Sequence, residues 1–258
     1  MDRSMMSARL VAIIACLVAT QGFAAGDAVE LKKAHIDPGD IPSLQRGARN
    51  FMNYCSGCHS AQYVRFNTIG KHLELSEEQL VNNLMFNAEK SFETMHAAMP
   101  AADAERWFGI APPDMSLMAR ANGADYIYNF LKSFYVDAES PTGVDNIVMP
   151  GASMPHVLWE LQGYQKAVFL EHTETDESGN ATTTYHFEHF EQVTAGLMNE
   201  EEYDIFVRDT VNFLAYIAEP IRADRRKIGG WVIAYLLVFL VIAIMLKKEI
   251  WKDVRRSE

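Results

Sequence analysis

Tyr54-Cys55-Ser56-Gly57-Cys58-His59-Ser60 is the stretch on which the reading of this chain turns. Cys-x-x-Cys-His is the attachment signature of a c-type haem. Side chains three and four residues apart share one face of a helix. Two thiols so placed can form thioethers with the two haem vinyl groups while the His59 imidazole rises to the iron. The lead-in reads as a helix, because Leu44, Ala48, Phe51 and Met52 recur at helical spacing. Other chemistries fit less well. A redox dithiol needs no following histidine and normally sits in a thioredoxin-like α/β pattern, which this chain lacks. A zinc site wants further ligands at matching spacing, and the only other cysteine is Cys16. A disulfide across two intervening residues is rare. The motif therefore predicts one covalent haem c, held by Cys55 and Cys58, with His59 on the iron.

Both ends of the chain agree with such a cofactor. Residues 1–24 carry Arg3 and Arg9, then an apolar run over 10–18, then the small residues Gly22 and Ala24. That is the pattern of a cleaved export signal, and its apolar run is too short to span a bilayer. Cys16 lies within it and is read as leaving with it. Residues 228–246 run for 19 positions without a charge, enough for one spanning helix. Trp231 and Trp251 sit near its ends, as interfacial aromatics do. Basic clusters flank both sides, so the positive-inside rule hardly discriminates. The export signal decides the orientation. It predicts a periplasmic domain over 25–221, a single-pass helix in the bacterial inner membrane, and a cytoplasmic tail over 247–258. c-type haem is attached outside the cytoplasm, in keeping with export.

Charge narrows the partners. The whole chain carries −11, yet residues 25–221 hold 12 Lys or Arg against 29 Asp or Glu, a net −17. Such a domain does not suit nucleic acid. It suits a basic protein partner, with charge-steered encounter. A second iron ligand must come from elsewhere, and in c-type carriers it is usually methionine. Met149 and Met154 lie on a Pro/Gly-rich loop, Val148-Met149-Pro150-Gly151-Ala152-Ser153-Met154-Pro155, and each precedes a proline that favours extended backbone. Loop chemistry alone leaves the two level. His35, His72, His96 and His156 are rival ligands, read as surface or loop histidines.

Four segments in this order, followed by a terminal anchor, resemble the cytochrome c1 family, the haem subunits of quinol–cytochrome c oxidoreductase (cytochrome bc1) complexes. They are Leu44-Gln45-Arg46-Gly47-Ala48 through the haem motif to Tyr63-Val64-Arg65-Phe66-Asn67; Ala111-Pro112-Pro113-Asp114-Met115-Ser116; Ser153-Met154-Pro155-His156-Val157-Leu158-Trp159; and Ala218-Glu219-Pro220 with Arg222 and Arg225-Arg226-Lys227. The resemblance implies that Met154 is the sixth ligand, that Met149 is packing, and that Pro113 lies against the haem. The family often has Arg-x-Arg after the Pro-Pro-Asp segment, the second arginine meeting a haem propionate. This chain reads Ala119-Arg120-Ala121-Asn122 there, so that contact falls to Arg120, to Asn122 or to neither. The implied role is electron relay from a Rieske iron–sulfur protein to a soluble cytochrome c, beside cytochrome b and membrane lipid, in a dimeric complex. It leaves the chain no acid–base catalytic site of its own. Two alternatives are a tethered cytochrome feeding an oxidase and a haem enzyme with an open iron position.

The expected fold is mainly α: a cytochrome c-type haem domain with a small β-hairpin insertion and one C-terminal transmembrane helix. Ser76 with Gln79 reads as a capping box before a helix over 77–88. Residues 125–134 carry apolar side chains at helical spacing. Asn199 with Glu202 caps a long helix that ends at Pro220 and packs on the haem helix. Residues 165–193 break the helical pattern around the turn-rich 176–180 and read as a hairpin.

Overall fold

The computed structural model describes residues 30–175 and 181–254. The export signal expected over 1–24 lies outside them. Helix α1, Ile41–Tyr54, starts at Asp40, whose carboxylate accepts from the Ser43 amide at 3.1 Å, with a proline in the first turn. Its buried face holds Leu44, Gly47, Ala48, Asn50, Phe51 and Met52. α1 is followed by strand β1 (Ala61–Arg65) and helices α2 (Phe66–His72) and α3 (Glu77–Leu84). Next come β2 (Thr94–Met95), which pairs antiparallel with β1, and α4 (Ala101–Phe108). α5 (Met118–Ala121) and α6 (Ala124–Lys132) lead into β3 (Phe134–Val136) and β4 (Val144–Asn146), an antiparallel pair with Phe134 opposite Asn146. α7 (Trp159–Gln162) opens a two-stranded ladder of β5 (Gly163–Thr175) and β6 (Ala181–Ala195). α8 (Glu200–Ala218) and α9 (Arg222–Val254) end the chain. The architecture is the expected mainly α haem-domain fold with a hairpin and a C-terminal apolar helix.

The core forms where α8 crosses α1. α8 has a complete capping box, with Asn199 accepting from the Glu202 amide and Glu202 accepting from the Asn199 amide, both at 3.0 Å. From Tyr203 to Ala218 it is buried almost throughout, as a helix enclosed on several sides must be. Gly47 lets the two backbones approach, and Phe51 and Phe213 rings lie 5.9 Å apart. Polar pairs seal the crossing. Ser43 Oγ donates to Asp209 at 2.6 Å, Arg46 Nε to the same carboxylate at 2.5 Å, and Asn50 Nδ2 to Phe206 O and Thr210 Oγ1 at 3.2 Å. α6 docks on the other side of α8 through Tyr203 Oη, which donates to Leu131 O at 2.9 Å, and through Tyr128 and Lys132, which both bond Asp204.

Several boundaries differ from expectation. α3 stops at Leu84, four residues early. Met85 leaves the helix (φ −96°, ψ 66°) and is buried, and Asn87 Nδ2 reaches the His96 carbonyl at 2.5 Å. The gain from these non-local contacts outweighs the continuing helical pattern. α6 stops at Lys132, because Ser133 and Phe134 turn into β3 to meet β4. The hairpin strands run slightly longer than 165–193, and the tip, Glu171–His186, falls in a separate compact unit. Within that tip, Thr184 Oγ1 and His186 Nε2 lie 3.1 Å apart.

α9 is 33 residues long, about 50 Å at 1.5 Å per residue. Among the described residues it alone, over Asp224–Lys252, is long and apolar enough to cross a membrane. Its apolar side chains are exposed all round, as a helix surrounded by lipid requires.

Candidate functional site

The haem motif does not continue α1 as a regular helix. The helix ends at Tyr54, and the next residues coil irregularly: the Cys55 and Ser56 amides share the Phe51 carbonyl at 2.9 Å, while the Cys58 and His59 amides both reach the Cys55 carbonyl, at 3.1 and 2.8 Å. Ser56 Oγ turns back onto Met52 O at 2.7 Å. The Met99 amide takes the Gly57 carbonyl at 2.9 Å, which draws the chain away from the helix axis. The expectation of one helical face is thus corrected. The three side chains are gathered by a terminal turn, and it still brings them to one cleft.

That cleft has a volume of about 490 Å³ and is lined by Cys55, Cys58 and His59, by the Pro112–Pro113 segment, and by Ile127 and Phe130 of α6 and Leu214 of α8. Met149 and Met154 also reach it. No Asp, Glu, Lys or Arg lines it among the described residues. Its size and apolar lining with a few convergent polar groups are those of a cofactor site. Burial pushes the Cys55 thiol up to about 12, with help from Cys58, and raises Cys58 by burial as well. Neither sulfur is in a disulfide. Thiols so raised are protonated at neutral pH, unlike the thiolate of a reactive dithiol.

His59 is held by its outer nitrogen. Nδ1 lies 2.8 Å from the Pro113 carbonyl oxygen. A carbonyl can only accept, so Nδ1 carries the proton and Nε2 keeps its lone pair. Burial, the largest influence, lowers the pKa of the ring against opposing pulls from the Pro113 carbonyl and Asp114, and so favours the neutral form a metal requires. Ligating histidines generally donate their other N–H to a carbonyl or carboxylate in this way. The Pro113 carbonyl is itself fixed through its neighbour. Asp114 accepts from Ser60 Oγ at 2.7 Å, the Gln62 amide at 2.8 Å and the Ser116 amide at 2.9 Å. Burial alone would raise the Asp114 pKa, but these bonds outweigh it and hold it below the usual range. Sequence reading placed Pro113 against the haem but missed this use of its carbonyl. A proline pair that has lost its own N–H donors but keeps its carbonyls is the signal that could have shown it.

The remaining candidates separate by burial. Met154 is partly buried and packs on the core, whereas Met149 is 51% exposed. Asn122 lines the cleft. Arg120 is exposed on α5 outside that lining, and its charge acts on Glu219. His35, His72 and His96 are exposed, His72 bonding Tyr216 and His96 lying 2.9 Å from Thr94 Oγ1. His156 lies in a loop, as read, but is not on the surface. It is 5% exposed, its ring stacked on Phe134 at 5.2 Å and 9° and set edge-on to Tyr164 at 6.2 Å. Burial pushes it down to about 4 against a pull from the Gly163 backbone, and neither ring nitrogen has a hydrogen-bond partner of good geometry. Its periodicity gave no warning, because the burial comes from β3 and the hairpin base.

The profile of the Cytochrome C1 family matches residues 32–254. The chain belongs to the cytochrome c1 family. A protein named cytochrome c1 from Allochromatium vinosum is 42% identical over 95% of this chain and 98% of its own length. One named ammonia monooxygenase gamma subunit from Nitrosomonas europaea is 41% identical, over 89% of this chain and 91% of its own. Cytochrome c1 of Rhodospirillum rubrum is 27% identical over 84% and 83%. Membership makes the chain a membrane-anchored electron-transport protein of the respiratory chain that works with a c-type haem. The donor set fits that group: two protonated thiols, an imidazole with a bare Nε2 and a thioether reach one uncharged cleft.

Proposed function

We propose that this chain carries one covalent haem c as the electron-transfer subunit of a cytochrome bc1 complex, taking an electron from a Rieske iron–sulfur protein and passing it to a soluble cytochrome c. Bound in the cleft, the haem supplies a one-electron couple. Cys55 and Cys58 would hold it through thioethers, His59 Nε2 and Met154 Sδ would serve as its iron ligands, and Met149 would pack. Of the two residues weighed for the propionate contact, Asn122 is favoured because it reaches the cleft, while Arg120 stands beyond it. The haem domain is periplasmic, α9 anchors it in the inner membrane beside cytochrome b and lipid in a dimeric complex, and the tail is cytoplasmic.

The His59–Pro113 bond is the observation that carries this reading, because it fixes the imidazole for metal binding in a cleft shared with both thiols. Four methionines line the same cleft, Met115, Met118, Met149 and Met154, and this supply of thioethers favours a closed relay over a haem enzyme with an open iron position. The deciding experiment is purification of the full chain from detergent-solubilised membranes. Cytochrome b and an iron–sulfur protein should travel with it, and acid–acetone should leave its haem on the polypeptide. Recovery with an oxidase and no cytochrome b would support the tethered alternative instead. Haem passing into the organic phase would remove the covalent attachment.

A further inference from the structure

The loop bearing Met149 and Met154 is fastened at both ends to one short segment, residues 130–134. At its start stands Asn146, fully buried at 0% exposure. Its Nδ2 donates to the Phe130 carbonyl at 2.8 Å. Its Oδ1 accepts from the Val148 amide at 2.9 Å, the Met149 amide at 3.2 Å and Ser133 Oγ at 3.1 Å. One side chain thus grips the first loop amides with one atom and the end of α6 with the other. The Ile147 amide adds a bond to the Ser133 carbonyl at 3.2 Å. Next door, Asp145 Oδ1 accepts from the Gly151 amide at 2.7 Å, where φ is +77° and the loop reverses. At the loop's far end, the buried His156 ring stacks on Phe134. Phe130, whose carbonyl Asn146 holds, also lines the cleft.

We propose that Asn146 is a positioning residue that sets the place of Met154 in the cleft. The proposal rests on the reading of Met154 as an iron ligand. A ligand on a loop needs a supporting shell, because a displacement of about half an ångström already degrades a metal site. Asn146 supplies it from outside the cleft, touching neither the ligand nor the cofactor. A purely structural asparagine would change the stability of the domain and leave the ligand in place.

The test uses the full haem-loaded chain and compares Asn146→Ala, Asn146→Asp, Ser133→Ala and Met154→Leu. Asn146→Ala should keep the covalent haem, weaken the thioether-to-iron absorption band, and speed carbon monoxide binding to the reduced protein at least tenfold. The reduction potential should fall by a tenfold equilibrium factor, about 59 mV for one electron. Amide exchange across residues 147–151 should accelerate. Asn146→Asp should rescue part of these losses. One carboxylate oxygen still meets three donors, while the other faces the Phe130 carbonyl, which keeps the Ser133 amide at 3.3 Å. Ser133→Ala, which deletes one donor and leaves Asn146 in place, should raise carbon monoxide binding about threefold, and it decides the matter if the alanine variant does not accumulate. Wild-type band, potential and ligand binding in Asn146→Ala and Ser133→Ala, beside a Met154→Leu that binds carbon monoxide, overturn the positioning role alone. A Met154→Leu that keeps the band overturns the ligand reading and the proposal with it.

Discussion

Replacing Gly47 by alanine should destabilise the domain, although alanine is the better helix former by about 1 kcal/mol. A Cβ at position 47 would sit 2.7 Å from Phe213 Cβ and 2.8 Å from the Asp209 carbonyl carbon, and closer still to that carbonyl oxygen. Carbon atoms pack best at about 3.5–4.0 Å, and the obstacle is helical backbone, which cannot swing aside as a side chain can. α1 and α8 must therefore part. Such overpacking costs about 1–3 kcal/mol. Parting also stretches the Asn50 bonds to Phe206 and Thr210 and the Ser43 bond to Asp209, each contributing about 1 kcal/mol. After the propensity gain, the net loss is about 4 kcal/mol. For a domain of this size that lowers Tm by about 8–16 °C. Thermal unfolding of the haem-loaded chain in detergent, followed by far-ultraviolet circular dichroism, reads it directly. Gly57→Ala is the control, since a Cβ there meets nothing within 4 Å. A Gly47→Ala protein that melts at or above the parent temperature would show that the crossing is looser than described.

Met154→Leu should keep the haem attached, abolish the thioether-to-iron band, lower the potential and admit carbon monoxide, whereas Met149→Leu should cost no more than about 1.5 kcal/mol of stability. Visible spectra of the two variants decide it, and a reversed pattern sinks the assignment. Electron transfer to a basic soluble cytochrome c should slow as ionic strength passes about 0.1 M, where the Debye length is about 10 Å. A stopped-flow rate that stays flat with salt would mean that the net −17 of residues 25–221 does not steer docking. Burial alone would raise Asp204, but hydrogen bonds from Lys132, Tyr128 and Arg208 outweigh it and hold its pKa down to about 2, against about 3.9 for an unfolded aspartate. The stability it adds is therefore full above about pH 4 and is lost as pH falls through about 2. Denaturant titrations of the parent and Asp204→Asn should differ at pH 6 and converge by pH 2, and a constant gap would contradict the linkage.

What was legible in the sequence was local or chemical. Ser76 with Gln79 and Asn199 with Glu202 form both expected capping boxes, because a cap needs only residues three apart. The hairpin announced itself through a turn-rich stretch between two β-prone runs. The cleft components Cys55, Cys58, His59, Pro113 and Met154 do converge, since the motif and the family resemblance each point at chemistry. Non-local structure was less visible. The Cys55–His59 turn leaves the helix because the Gly57 carbonyl is claimed by Met99, 42 residues away. Phe134 fits a helical pattern but pairs with Asn146, and that pairing carries the methionine loop. His156 lies in a loop yet has the burial of a core residue, with Phe134 and Tyr164 packed against its ring.

The crossing of α1 and α8 joins residues more than 150 positions apart, as in the Ser43–Asp209 pair. It consequently dictates an order of events in time. The cysteines follow directly behind α1, whereas the helix that completes the core is nearly the last of the domain to be made. At about 5–20 residues per second of synthesis, the interval between Cys58 and Asp209 lasts on the order of ten seconds. Throughout it α1 lacks the helix against which most of its inner face packs, and the two cysteines stay accessible. Once α8 arrives and the cleft forms, burial raises the pKa of Cys55 and narrows access to it. Late delivery of α8 thus leaves a period in which the cleft is unformed, and a chain rearranged to place that helix first would close it earlier.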